Sequence, residues 1–136
     1  MAKINMKTDL NVAPDEVWKL IGGFNALPDW HPAVEKSELE EEGSMRRLSL
    51  AGGGTIVEKL VSVDDKERVY SYLIIDSPLP VTNYEATIRV KDDGEGNTSV
   101  EWSSEFEAEG APENEAMDVI AGIYQAGLDN LKKMFP

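Results

Sequence analysis

Between residues 82 and 108 the chain holds a period of two. Tyr84, Ala86, Ile88 and Val90 alternate with Asn83, Glu85, Thr87 and Arg89. Val100, Trp102, Ser104 and Phe106 alternate with Glu101, Ser103, Glu105 and Glu107. Such spacing predicts two antiparallel strands, Thr82–Lys91 and Thr98–Ala108, with one wet face and one covered face. Weaker alternation predicts a first strand over Lys3 to Val12 and further strands at Val34–Glu42, Met45–Leu50, Thr55–Asp64 and Arg68–Asp76. Turn signals separate the later strands: Glu42-Gly43, Gly52-Gly53-Gly54, Asp64-Asp65-Lys66, Ser77-Pro78-Leu79-Pro80 and the acidic, glycine-bearing run from Asp92 to Asn97.

The period changes at the end of the chain. Ala116, Met117, Ile120, Ile123, Tyr124, Gly127, Leu128, Leu131, Met134 and Phe135 recur at steps of three and four, which predicts one long amphipathic helix over Glu113–Phe135. Glu113 and Glu115 suit its positive end, and Lys132 and Lys133 its negative end. Gly122 and Gly127 each cost about 1 kcal/mol relative to Ala inside a helix, so both predict close approach to a sheet or a ligand. Near the N-terminus, Pro14 with Asp15 and Glu16 opens a short helix carrying Val17, Trp18, Leu20 and Ile21, which Gly22-Gly23 stops. A brief helical turn is expected around Ala26-Leu27. The order is then strand, two short helices, six-strand meander, long helix. That order predicts one α+β domain over residues 1–136, in which a seven-stranded curved antiparallel sheet wraps the terminal helix around an internal cavity.

Composition narrows the partners. The 136 residues carry 13 basic and 26 acidic side chains, a formal charge of −13. A surface this acidic argues against nucleic acid and anionic membranes, since both are held by Lys/Arg clusters. The chain has no Cys and one His, which leaves no thiolate nucleophile and no zinc-site spacing; no metal and no cofactor is expected. No run approaches 18 apolar residues, and Met1 leads directly into strand-like alternation, so a cytoplasmic location is the default expectation. No pattern specifies an oligomer.

Val17-Trp18-Lys19-Leu20-Ile21 with Phe24, Trp30-His31-Pro32-Ala33-Val34, Gly43 with Arg46-Arg47-Leu48, Glu58-Lys59-Leu60, Asp64-Asp65, Tyr70, Tyr72 and Asn83-Tyr84 follow one another in a characteristic order. In this order the chain resembles the START-like, birch-pollen-allergen-like helix-grip superfamily, in its polyketide cyclase/dehydrase and lipid-transport branch. Within it, the stretch from Glu58 to Tyr84 is most similar to the plant abscisic-acid receptor group and its bacterial relatives. The resemblance implies a hydrophobic cavity and does not fix an activity. It also implies that Gly52-Gly53-Gly54 forms a gate-like loop over the cavity mouth, with Pro78, Leu79 and Pro80 in an opposing latch loop. The receptor group's signature gate and latch residues are absent, which argues against hormone signalling.

The candidate chemistry is sparse. His31 stands where the receptor group has a lysine that pairs with a ligand carboxylate. It can donate a hydrogen bond or act as an acid/base near neutral pH, or stand at the domain rim with no ligand role. Glu58 matches a cavity carboxylate in those receptors and is in phase with Leu60 and Ser62, but the phase of Val57, Lys59, Val61 and Val63 is more apolar and competes for the interior. Tyr84 is expected to line the interior together with Tyr72, Ile74, Trp102, Phe106, Ile120 and Tyr124. These residues support three readings: binding or transport of a small hydrophobic, aromatic, polyketide-like or lipid-like molecule; a cyclase or dehydratase using His31, Glu58 or Tyr84 for proton transfer; and a ligand-gated regulator of a partner protein. The first accounts for the residues without demanding catalysis.

Overall fold

The structure is a computed structural model and describes residues 1–135. Seven strands form one antiparallel sheet: β1 (Ala2–Leu10), β2 (Val34–Glu40), β3 (Met45–Leu50), β4 (Thr55–Asp64), β5 (Val69–Asp76), β6 (Val81–Asp92) and β7 (Thr98–Ala108). Two short helices, α1 (Pro14–Ile21) and α2 (Leu27–Trp30), connect β1 to β2, and α3 (Glu113–Met134) ends the chain. The strand order is β1-β7-β6-β5-β4-β3-β2, so the meander runs outward from β7 and β1 closes onto its last strand.

Local chemistry sets these elements. Pro14 stands at the first turn of α1, where its missing N–H costs nothing, and Asp15 and Glu16 follow it. A Cβ at Gly22 would meet the Trp18 ring and carbonyl within 2.8 Å, so glycine stands where α1 stops. β2 ends two residues earlier than the sequence predicts, because Glu41 and Glu42 take positive φ in a 3-10 turn running to Gly43.

The covered face of the sheet is the expected one. Tyr84, Ala86, Ile88, Val90, Val100, Trp102 and Phe106 are all buried, and they pack with Ile120, Tyr124, Leu128 and Leu131 of α3. Four register shifts interrupt the ladders, at Val34/Lys36, Val57/Glu58, Leu60/Ser62 and Thr82/Glu85. Beyond the shift at Leu60/Ser62, Val61 and Val63 are exposed, and the shift between Thr82 and Glu85 accompanies Asn83 at φ 51°. Along β4, Ile56, Val57 and Glu58 are all buried while Val61 and Val63 are exposed, so Glu58 keeps its place in the interior.

The two helix glycines differ. A Cβ on Gly127 would stand 2.7 Å from His31 Cδ2, 3.0 Å from Trp30 and 3.1 Å from Trp102. Here the helix approaches the aromatic wall as expected. Gly122 has nothing within 4 Å of its virtual Cβ, so the expected close approach is absent there. It sits on the open side of α3.

Candidate functional site: an aromatic cavity

α3 does not fill the concave face of the sheet. Between them lies a cavity of about 260 Å³, walled by side chains from α2, β2 to β7 and α3. His31, Glu58, Tyr72, Tyr84, Trp102, Ile120 and Tyr124 all line it, as does Ile74. Phe106 does not. It is buried behind Tyr84, ring centroids 5.9 Å apart, and supports the wall without reaching the space. A larger concavity of about 590 Å³ lies elsewhere, on the polar surface around Lys3, Asn83, Glu85 and Glu105; it is shallow and lacks an aromatic wall.

The expected gate borders the cavity only at its base, and the latch only through its central residue. Leu50, Ala51 and Leu79 line it, while Gly52, Gly53, Gly54, Pro78 and Pro80 do not. The loops do meet: a Cβ on Gly54 would stand 3.7 Å from Pro78 Cγ. All three glycines have φ between +85° and +103°, a region that side-chain-bearing residues rarely adopt.

His31 is not at the rim. It is almost fully buried, and both ring nitrogens are engaged with backbone. Nε2–H donates to the Ile123 carbonyl at 2.7 Å, and Nδ1 accepts the Ala33 N–H at 3.1 Å. Because an N–H can only donate, the Ala33 contact fixes Nδ1 as the unprotonated nitrogen. Burial lowers the imidazole pKa, partly offset by the Ile123 carbonyl, so the ring is held neutral. It ties α2 to α3 and leaves no free nitrogen for a ligand.

The far wall holds an ion pair. Arg46 alternates inward with Leu48 on β3 and is paired in register with Glu58 on β4. Arg46 Nε donates to Glu58 Oε1 at 2.8 Å; Nη2 lies 2.7 Å from the same oxygen, an ion contact without hydrogen-bond alignment. Nη1 donates to the Phe24 carbonyl at 2.6 Å, and the guanidinium carbon lies 4.2 Å from the Phe24 ring centroid. Burial raises the Glu58 pKa, partly offset by Arg46, while Arg46 stays charged beside its carboxylate. Arg46 is a site residue that the sequence pattern alone does not single out. Its one signal is its phase with Leu48 on a strand with a covered face.

All four tyrosines of the chain lie inside. Trp102 Nε1–H donates to Tyr72 Oη at 3.0 Å, the Tyr84 and Tyr124 hydroxyls share a hydrogen bond, and Trp102 stacks on Tyr124 at 4.2 Å. Burial pushes the pKa of Tyr72 and Tyr84 well above the usual phenolic value, so both keep their protons at neutral pH. The arrangement offers an aromatic wall with hydroxyls and one carboxylate set into it. No group of three or more metal-ligating side chains occurs among the described residues.

The family profile described as polyketide cyclase / dehydrase and lipid transport matches residues 1–135. The chain belongs to that family. This member of the polyketide cyclase/dehydrase and lipid-transport family is 46% identical to the protein XoxI from Bacillus cereus, over 99% of this chain and 96% of that one, with a TM-score of 0.96. It is 42% identical to an uncharacterized Bacillus thuringiensis protein, over 98% of each chain, again with a TM-score of 0.96. The Zhui aromatase/cyclase from Streptomyces sp. R1128 shares the fold at 18% identity and a TM-score of 0.79, over 98% of this chain and 92% of that one. The curved sheet around α3 is the helix-grip fold, shared with a START superfamily protein from Mycobacterium smegmatis at 13% identity and a TM-score of 0.80, over 98% of this chain and 96% of that one. No curated protein matches the chain. No helix among the described residues is long and apolar enough to cross a membrane.

Proposed function

We propose that this protein binds a compact hydrophobic molecule, one or two rings in size, in the cavity between the sheet and α3, and sequesters or carries it. The observation that carries the reading is a space of about 260 Å³ walled by aromatic and aliphatic side chains with few polar groups among them. A largely apolar pocket with a few placed polar groups is the usual form of a small-molecule site. An apolar cavity of about 150 Å³ admits benzene, whereas drug-sized pockets run from about 300 Å³ upward. This cavity lies between those limits, which favours compact arenes over long polycyclic chains or lipid tails.

Binding is favoured over catalysis by the state of the candidate acid/base groups. His31 has both nitrogens committed to backbone, and the tyrosines hold their protons tightly. Glu58 is the one group whose raised pKa and open oxygen suit proton transfer, so a cyclase or dehydratase reading rests on it alone.

Titration with bicyclic arenes, followed by ¹H–¹⁵N and methyl NMR, tests the reading. Shifts are expected at Ile74, Tyr84, Trp102, Ile120 and Ile123, together with slower amide exchange in the Gly52–Gly54 and Ser77–Val81 loops as they order over the ligand. Shifts restricted to the outer acidic face, with these residues silent, would remove the cavity from the function.

A further inference from the structure

We infer that the polar end of the cavity selects ligands bearing a hydrogen-bond donor, such as a phenolic hydroxyl, and rejects carboxylates. The inference rests on the cavity-binding reading and specifies the chemistry of that site.

It comes from how Glu58 and Arg46 are placed. Both of Arg46's contacts with the carboxylate go to Oε1. Oε2 accepts no hydrogen bond from any described residue, and it is not among the atoms sealed from solvent, on a side chain that lines the cavity. An acceptor set in an apolar wall is costly while unpaired, so a donor brought by the ligand gains more there than it would at the surface.

The cation of the pair cannot do the opposite job. Arg46 is completely buried, does not line the cavity, and is walled off by Phe24, Tyr70 and Tyr72, over whose rings it lies. Among the described residues, Glu58 is therefore the only charged side chain presented to a ligand. His31 is neutral and already bonded on both sides. An anionic ligand entering this space meets a like charge and no reachable cation.

The hydroxyls agree with this reading. Tyr72 Oη accepts from Trp102 and the Tyr84–Tyr124 pair shares one hydrogen bond, so the three hydroxyls hold more protons than these contacts consume. A ligand hydroxyl can donate to Glu58 and accept from a tyrosine. A carboxylate can do only the second.

Three matched probes decide it: 2-naphthol, naphthalene and 2-naphthoate, titrated calorimetrically into the intact protein at neutral pH. The inference expects 2-naphthol to bind at least tenfold more tightly than 2-naphthoate and several-fold more tightly than naphthalene. Parity of 2-naphthol with naphthalene, or naphthoate binding as well as naphthol, overturns the inference and leaves the cavity reading intact. Failure of all three to bind overturns both. In Glu58→Gln the gap between naphthol and naphthoate should close to within about threefold; a folded variant that keeps the gap counts against Glu58. Should that variant unfold, the three-probe comparison on the unaltered protein still supports or overturns the selectivity by itself.

Discussion

Removing one member of the Arg46–Glu58 pair leaves the other charged in a space nearly closed to water. Arg46→Met and Glu58→Met test this one partner at a time, and the double variant tests the pair. Breaking a buried pair costs about 3–5 kcal/mol, whereas replacing both members by apolar groups of similar volume is often neutral or better. Glu58→Met belongs at the low end of that range, because Arg46 keeps the Phe24 carbonyl at 2.6 Å and the Phe24 ring beneath it. In Arg46→Met the stranded carboxylate has one escape, which is to take up a proton. Burial already raises its folded pKa above the unfolded value. The sign follows: protonated Glu58 favours the fold at acid pH, and that advantage fades as pH rises through the folded pKa. The cost of Arg46→Met should therefore be smaller at pH 5 than at pH 7, whereas the Glu58→Met protein itself no longer carries this ionisation. Urea unfolding at both pH values reads this directly. With a slope of about 2 kcal/mol per molar urea, each single change lowers the midpoint by about 1.5–2.5 M. Additive losses would total about 6–10 kcal/mol, enough to unfold an ordinary domain, yet the double variant should lose no more than about 2 kcal/mol. Strict additivity, or single losses under about 1 kcal/mol, would refute the coupled-pair account.

Two further outcomes follow from single positions. Gly122→Ala meets open space and should gain about 0.5–1 kcal/mol, whereas at Gly127 ring atoms at 2.7–3.1 Å should more than cancel that gain, leaving the two variants about 1–3 kcal/mol apart by calorimetry; equal melting temperatures would mean the aromatic wall yields freely. For His31, whose pKa burial lowers, the unfolded chain takes up the proton first, so stability present above pH 6.5 declines as pH falls toward the folded pKa, by up to about 1.4 kcal/mol per pH unit. His31→Gln should lack that part of the decline, and identical slopes for both proteins between pH 6.5 and 5 would show that the imidazole is not held neutral.

The alternation of β6 and β7 and the stripe on α3 make most of the fold legible, because both patterns span many residues and each residue repeats the same signal. Glu58 is ambiguous in sequence for a specific reason: β4 buries Ile56, Val57 and Glu58 in succession beside a register shift, and a bulge leaves no period of its own. Arg46 is hidden because a lone arginine on a strand reads as a surface residue unless its partner is known, and Glu58 becomes its partner only when β3 and β4 pair in register. The distinction between Phe106 and Tyr84 is also out of reach. Alternation tells which side of a sheet a residue faces, while the difference between wall and backing depends on how far α3 stands off the sheet. Gly122 and Gly127 look alike in sequence, and only the seating of Trp30, His31 and Trp102 under one of them separates their roles.

The stacking of Trp102 on Tyr124 at the cavity wall has an optical consequence. Trp102 touches the space directly, its indole N–H is held by Tyr72, and Trp30 lies 5.5 Å from it. Trp18 sits apart, with its N–H on Asp65 at the protein surface. Excitation absorbed by the four interior tyrosines has indoles close by to receive it. A molecule that enters displaces the environment of one emitter and leaves Trp18 as an internal reference. The chain thus carries a built-in fluorescence gauge of whether its interior is filled, readable without a label, and Trp102→Phe would silence its cavity channel.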